Sequence, residues 1–237
     1  MKIEILTLFP ALCEAVLSES ILGRARAGGL VEISARNIRD YTKDKHRRVD
    51  DAPYGGGYGM IMQAQPIADC FAALCADWGC RPHLVYLSPQ GKALTQTRCR
   101  ELAALPYLAL LCGHYEGVDE RVLEALADEE ISIGDYVLTG GELPALVLCD
   151  AIARLLPGVL PADEVFREES HFAGLLEHPQ YTRPPVWEGR TVPAVLREGN
   201  HALQQRWKKE QALARTRRKR PDLLTRTNTP EEENKLC

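Results

Sequence analysis

The chain has 237 residues, of which 45% are hydrophobic and 26% charged, and a net charge of −4. That is the composition of an ordinary soluble globular protein, long enough for one large domain or two small ones. No apolar run approaches the ~20 residues that span a bilayer, and MKIEILTLFP lacks the pattern and cleavage site of a secretory signal, so a cytoplasmic protein is expected.

In chain order, Ile3 to Phe9 alternates like a strand, and Pro10 ends it. Ala11 to Ala27 has helical periodicity and stops at Gly28-Gly29; Leu30 to Ala35 follows as a short strand. Asn37 to Tyr58 is a long charged loop containing Pro53-Tyr54-Gly55-Gly56-Gly57, a length that points to function or mobility. Pro66 to Ala76 reads as a helix, and His83 to Leu87 as a buried strand before a turn at Ser88-Pro89-Gln90-Gly91. A helix over Thr95 to Leu105, capped by Thr95, precedes a strand over Tyr107 to Leu111. After a turn at Gly113 come a helix over Val118 to Ala127, a strand and turn over Ile131 to Leu138, and a nearly all-apolar helix over Leu143 to Leu156. Strands alternating with helices predict an α/β fold with a parallel sheet.

Pro157 to Arg167 reads as a linker, and beyond it strand signals disappear. Glu198 to Leu213 is basic and amphipathic, as in a small helical domain. Between Leu203 and Leu224 eight basic residues face two acidic ones, so the segment carries +6 and the remainder −10. A basic helical end on an acidic body is either a polyanion grip or a solvated surface helix. Trp207, inside it, is a candidate for base stacking or for core packing. Of eight cysteines, Cys13, Cys99, Cys112 and Cys149 read as small core residues. Cys70, Cys75 and Cys80 are five apart, which is not a metal-ligand spacing.

Three glycine-bearing loops follow strands, at Ser88-Pro89, Gly113 to Gly117 and Ile133 to Gly141. Ligands of parallel α/β sheets bind outside the carboxyl ends of strands, so the three are expected to converge on one pocket. Each alone could be only a tight turn. Neither G-x-x-x-x-G-K-[ST] nor G-x-G-x-x-G is present, which argues against a nucleotide triphosphate or a dinucleotide.

SPQG at Ser88, CGHYEGVDER at Cys112, SIGDYVLTGGELPA at Ser132 and GLLEHPQYTRP at Gly174, with NIRDYTKDKHRRVDD and PYGGGYGM, resemble the bacterial tRNA (guanine-N1-)-methyltransferases of the SPOUT superfamily, in register from Met1 to about Leu224. The resemblance implies a parallel sheet tied in a deep trefoil knot, S-adenosyl-L-methionine as cofactor, an association with Mg²⁺, and a homodimer with active sites between subunits. The product would be 1-methylguanosine at position 37 of the tRNA anticodon loop, with guanosine preferred at position 36. The expected organisation is a knotted catalytic domain over 1–157, a linker over 158–173, a helical tRNA-binding domain over 174–224, and a disordered tail over 225–237.

N1 of guanine carries a proton at neutral pH, so its methylation needs a base and positive charge near O6. The family's base is an aspartate followed by serine, five residues before the glycine of GLL; here that position holds Glu169, followed by Ser170. Glu168 is the competing candidate, and an exposed acidic linker is the plain alternative for both. Arg154 matches the family's catalytic arginine, although its spacing from Asp150 also suits an intrahelical ion pair. By the same resemblance the cofactor is held by Tyr86, Leu87, Ser88 and Pro89, by Gly113, Tyr115 and Glu116, by Ser132, Ile133, Gly134, Asp135, Tyr136, Val137 and Leu138, and by Gly140, Gly141 and Pro144. Glu116 could instead open a helix, and Tyr136 and Leu138 could be core residues. His114 and Ala52 stand where the family usually has arginine, and Asp50 is a candidate for guanine or tRNA contact. Two other classes stay open: an RNA methyltransferase with a different target, and an RNA-binding protein without activity.

Overall fold

The computed structural model describes residues 1–162, 166, 169–172 and 174–226. The chain divides into two compact units, Met1–Asp163 and Glu164–Cys237. Among the described residues no helix is long and apolar enough to cross a membrane.

The first unit is built on strands β1 (Lys2–Thr7), β2 (Glu32–Asn37), β5 (His83–Ala93), β6 (Tyr107–Cys112) and β7 (Glu129–Ser132). They form one parallel sheet in the order β2-β1-β6-β5-β7. Its helices are α1 (Pro10–Leu17), α2 (Ser20–Ala27), α3 (Ala64–Trp78), α4 (Gln96–Ala103), α5 (Glu120–Leu126) and α6 (Glu142–Ala153). A short hairpin pairs β3 (Asp50–Asp51) with β4 (Ile61–Met62).

The central strands are apolar on both faces, and their period of two sorts them into two cores. Ile3, Ile5, Val85, Leu87, Leu108 and Leu110 face the cluster made with α1, α2, α4 and α6. Leu6, Leu84, Tyr86, Ala109 and Leu111 face the cluster made with α3 and α5. The buried charge on β1 is Glu4, which accepts from Ser34 Oγ at 2.7 Å and Arg36 Nε at 3.2 Å, so it is compensated. The cysteines read as core residues, Cys13, Cys99, Cys112 and Cys149, are all buried.

The structure corrects several expectations. Pro10 opens α1 rather than merely closing the strand, because the first helical turn has no use for its missing N–H. The expected helix over Ala11 to Ala27 is two helices, broken at Ser18-Glu19, with Ser20 at φ 54°. The long loop after Asn37 contains a 3₁₀ turn over Ile38–Tyr41 and the strand β3, which pairs with β4 just beyond it. Ser88 to Gly91 is not a terminal turn. It bulges from a strand that resumes beyond it, so that Ile131 pairs with both Leu87 and Lys92.

The second unit contains α7 (Ala194–Arg197), α8 (His201–Lys219) and α9 (Asp222–Arg226). It also holds a hairpin of β8 (Val186–Trp187) and β9 (Arg190–Thr191), where no strand was expected. Glu188 and Gly189 both take positive φ, which closes a two-residue hairpin loop without an Asn-Gly or Asp-Gly signal. Thr216, fully buried in α8, donates to Ala212 O at 2.8 Å and accepts from Leu176 N–H at 2.9 Å. Trp207 lies against His178 and Tyr181, with ring centroids 6.3 and 6.5 Å apart, which favours the packing reading. In the expected linker, Leu30 packs over Gly158, and His171 N–H donates to Leu175 O at 2.9 Å. Thr225 and Arg226 are helical rather than tail, and residues 227–237 lie outside the described residues.

At the free edge beside β7, Glu129 takes a hydrogen bond from Arg98 Nε at 3.0 Å and approaches His83 Nε2 at 2.8 Å. Burial opposes its ionisation, but the bonds from Arg98 and His83 outweigh burial and hold its carboxyl below the usual range. Its stabilising effect is therefore complete above the ordinary carboxylate pKa of about 4.3 and fades as pH falls through the folded value. Glu129→Gln is expected to cost about 1–3 kcal/mol at pH 7. In urea unfolding, its deficit relative to wild type should shrink as the pH is lowered below about 4.

Candidate active site

The carboxyl ends of β5, β6 and β7 open into a cleft of about 250 Å³. Its walls are the three loops picked out in the sequence. Each is pinned locally by a short hydrogen bond. Ser88 Oγ accepts from Gln90 N–H at 3.1 Å, and Ser132 Oγ accepts from Gly134 N–H at 3.1 Å while donating to Gly134 O at 2.9 Å. Gly141 N–H donates to Gly113 O at 2.9 Å, drawing the third loop onto the second.

The wall is close-built. A Cβ on Gly141 would lie 2.6 Å from Cys112 Cα and 3.0 Å from Gly113 N, so backbone passes directly over backbone. A Cβ on Gly113 would meet the Tyr86 hydroxyl at 2.8 Å. Burial pushes the Tyr86 phenol up to about 12, with Glu130, Glu120 and Cys112 adding to it, so it stays neutral at physiological pH. Tyr115 holds φ at 59°, and its hydroxyl oxygen accepts from Arg39 Nη2 at 3.0 Å.

Of the seventeen residues expected to hold a cofactor, all but Asp135 line this cleft. Tyr136, Val137 and Leu138 are not core residues: Val137 is 81% exposed and the other two also reach solvent. Glu116 does not open a helix. Helix α5 begins four residues later, capped by Asp119, and Glu116 instead lies against Gly59 within the cleft wall. The lining also includes residues the sequence reading did not select, among them Ile61, Gln90, His114, Glu120, Leu123 and Glu130. Glu120 and Glu130 give no local signal, because they belong to regular elements whose ends meet only in the fold.

Chemically, the lining contains three glutamates, Glu116, Glu120 and Glu130, and neither lysine nor arginine. Such a surface repels phosphates and favours a cation. Exposed backbone, Leu87, Leu138 and the aromatic rings add what an adenine needs. A sulfonium- and ammonium-bearing adenosine fits this set of groups.

The imidazole of His114 is wedged between two aromatic side chains. Its ring sits 5.0 Å from Phe9 and 4.9 Å from Tyr115, and its Nδ1 is buried without a hydrogen-bond partner among the described residues. Neighbouring Glu142 is buried and accepts from Thr7 Oγ1 at 2.7 Å.

Arg154 caps the carboxyl end of α6 and does not line the cleft. Glu169 lies in the second unit, half-buried, ahead of a turn in which Ser170 Oγ accepts from Glu177 N–H at 3.1 Å. Glu168 lies outside the described residues. Asp50 begins β3 and pairs with Met62; Ala52 follows that strand.

The close approach generates a ranking. Gly141→Ala drives a Cβ into backbone that cannot yield, whereas Gly113→Ala meets the far end of a side chain. Gly141→Ala is expected to weaken ligand binding at least tenfold or to lower the unfolding midpoint, and Gly113→Ala to do less of either. Calorimetric titration with S-adenosylmethionine, together with thermal unfolding, checks the order.

The comparison with known proteins agrees with this geometry. The model of the family described as tRNA (Guanine-1)-methyltransferase TrmD matches residues 1–226. Proteins named tRNA (guanine-N(1)-)-methyltransferase are similar over nearly their whole lengths. The one from Ruminiclostridium cellulolyticum is 57% identical over 226 residues, 95% of this chain and 97% of the relative. That from Moorella thermoacetica is 53% identical over 237 residues, 100% and 95% of the two chains. That from Chloroflexus aurantiacus is 55% identical over 228 residues, 95% and 89%. With its glycine-walled, cation-favouring cleft at the ends of a parallel sheet, the chain belongs to the tRNA (guanine-N1-)-methyltransferase family.

Proposed function

We propose that this protein transfers the methyl group of S-adenosylmethionine to N1 of guanosine 37 in tRNA. The observation that carries the reading is the cleft lining, with three glutamates and no basic residue beside close-packed glycine backbone. When bound, the cofactor supplies a methyl group already activated by its sulfonium, so the remaining work falls on the guanine. In this reading Glu169 takes the N1 proton, freeing the lone pair, and Arg154 stabilises the charge that moves to O6. The cofactor is held by the backbone of the Tyr86–Pro89 and Ser132–Leu138 segments and of Gly113, Tyr115 and Glu116, with Gly140, Gly141 and Pro144 behind it.

The knotted path is part of the proposal. It is supported at Gly91, whose Cβ would lie 2.5 Å from Ile131 N, and at Gly141 over Cys112. At both places backbone passes so close to backbone that no side chain fits. The homodimer is supported by the surface of α1 and α6, which pack together and leave Leu12, Val16, Leu143 and Val147 exposed. Among the described residues no group of three His, Cys, Asp or Glu side chains is arranged to hold a Mg²⁺ or other metal ion.

For tRNA, α8 offers a phosphate-binding surface. Arg206 and Arg220 are paired with Glu210 and Asp222, and Arg215 reaches Glu177 O. Lys209, Arg217, Arg218 and Lys219 are exposed and have no acidic partner among the described residues. The last three also sit where cations suit a helix end.

Labelled S-adenosylmethionine is expected to mark a tRNA transcript with guanosines at positions 36 and 37, as 1-methylguanosine, and not one with adenosine at 37. No label on either, with cofactor binding intact, would overturn the reading. Glu169→Gln should keep cofactor affinity and lose roughly 10²–10⁴-fold in turnover; a near-normal rate moves the base to Glu168. Replacing Arg217, Arg218 and Lys219 together by alanine should weaken tRNA binding and flatten the plot of log affinity against log salt by about two contacts' worth of slope.

A further inference from the structure

The tip of the β3–β4 hairpin, Pro53 to Gly59, is not accounted for by the cleft, and none of residues 53–60 lines it. Tyr54 and Tyr58 are 101% and 98% exposed, so both rings stand free of the rest of the chain. Large aromatic side chains are normally at least half covered by their own protein. The base of the hairpin, by contrast, is fastened to the cleft wall. Glu116 N–H donates to Met60 O at 3.0 Å, Met62 N–H donates to Gly117 O at 2.9 Å, and Ile61 lines the cleft. Gly59 is pressed against the Glu116 carboxyl, where a Cβ would come within 2.6 Å of Oε1. Between the tyrosines, Gly55, Gly56 and Gly57 all hold positive φ, and a Cβ on Gly55 or Gly56 would meet nothing within 4 Å. Two bare rings are thus carried on a clear, glycine-jointed tip with a rigid root at the cleft mouth.

N1 lies on the Watson–Crick edge of guanine, and a cleft-bound base must leave the stack of its neighbours to present that edge. The neighbours then each expose an uncovered face. We infer that Tyr54 and Tyr58 form a stacking platform for the RNA bases flanking the methylated guanosine. This inference rests on the RNA-methylation reading above. An aromatic ring covers any base through its π face, so the platform contributes affinity with little dependence on which base it meets. A phenol hydroxyl is not required for this role, so phenylalanine can replace tyrosine.

The test uses the full-length protein and an anticodon stem-loop carrying 2-aminopurine next to the target guanosine. Tyr58→Ala and Tyr54→Ala are each expected to raise KM for the RNA roughly 5–100-fold, to weaken the protein-induced change in 2-aminopurine fluorescence, and to leave cofactor affinity unchanged. Tyr58→Phe should restore both. Unaltered RNA KM and fluorescence in the double alanine variant would overturn the inference. So would a parallel loss of cofactor affinity, which would make the tip a cover for the cofactor, or a change in sedimentation, which would make it a subunit contact. If wild-type protein methylates the RNA while the double variant behaves identically, only the platform fails; if wild type methylates nothing, the function fails first.

Discussion

The close passage of backbone over backbone at Gly141 and Cys112 is the constraint on which the site depends. It draws the loop after β7 onto the loop after β6 and places the amino end of α6 behind both. Gly91 does the same work on the other side, lying on the Glu130–Ile131 peptide so that β7 can pair with β5 on both sides of the Ser88–Gly91 bulge. A cleft made this way presents main chain to its ligand. Its shape is set by packing rather than by the rotamers of long side chains, which is why so much of its wall is glycine, serine and proline.

The electrostatics differ between the two units. The cleft has carboxylates and no basic residue, so it is suited to a cation and hostile to phosphate. On α8 in the second unit, Lys209, Arg217, Arg218 and Lys219 are exposed and have no acidic partner among the described residues. The net charge of −4 hides this separation, since the basic segment and the acidic body nearly cancel.

One departure from the family pattern acquires physical meaning. His114 occupies a position that is confined by Phe9, Tyr115 and Gly140, and its Nδ1 is shut away from solvent. An arginine there would need a different route for its longer side chain. Nothing in the structure explains Ala52, which sits exposed after β3.

Much of this was legible in the chain itself. Alternation marked β1 and short apolar runs marked β5 and β6 as strands, because covering both faces of a parallel sheet demands apolar residues on both. Glycine and serine at strand ends marked the loops, and sixteen of the seventeen expected cofactor residues line one cleft. Local pattern failed where the deciding contact was distant. The Ser88–Gly91 segment reads as a turn, and only pairing with β7 makes it a bulge. Glu120 and Glu130 look like ordinary surface acids until β5, β6 and β7 bring their ends together. The β8–β9 hairpin has strands of two residues, too short for any periodicity to register. Residue type and spacing therefore determined which loops line the cleft, whereas its acidity and its close backbone contacts were decided by tertiary structure, since both depend on groups far apart in sequence meeting within a few ångströms.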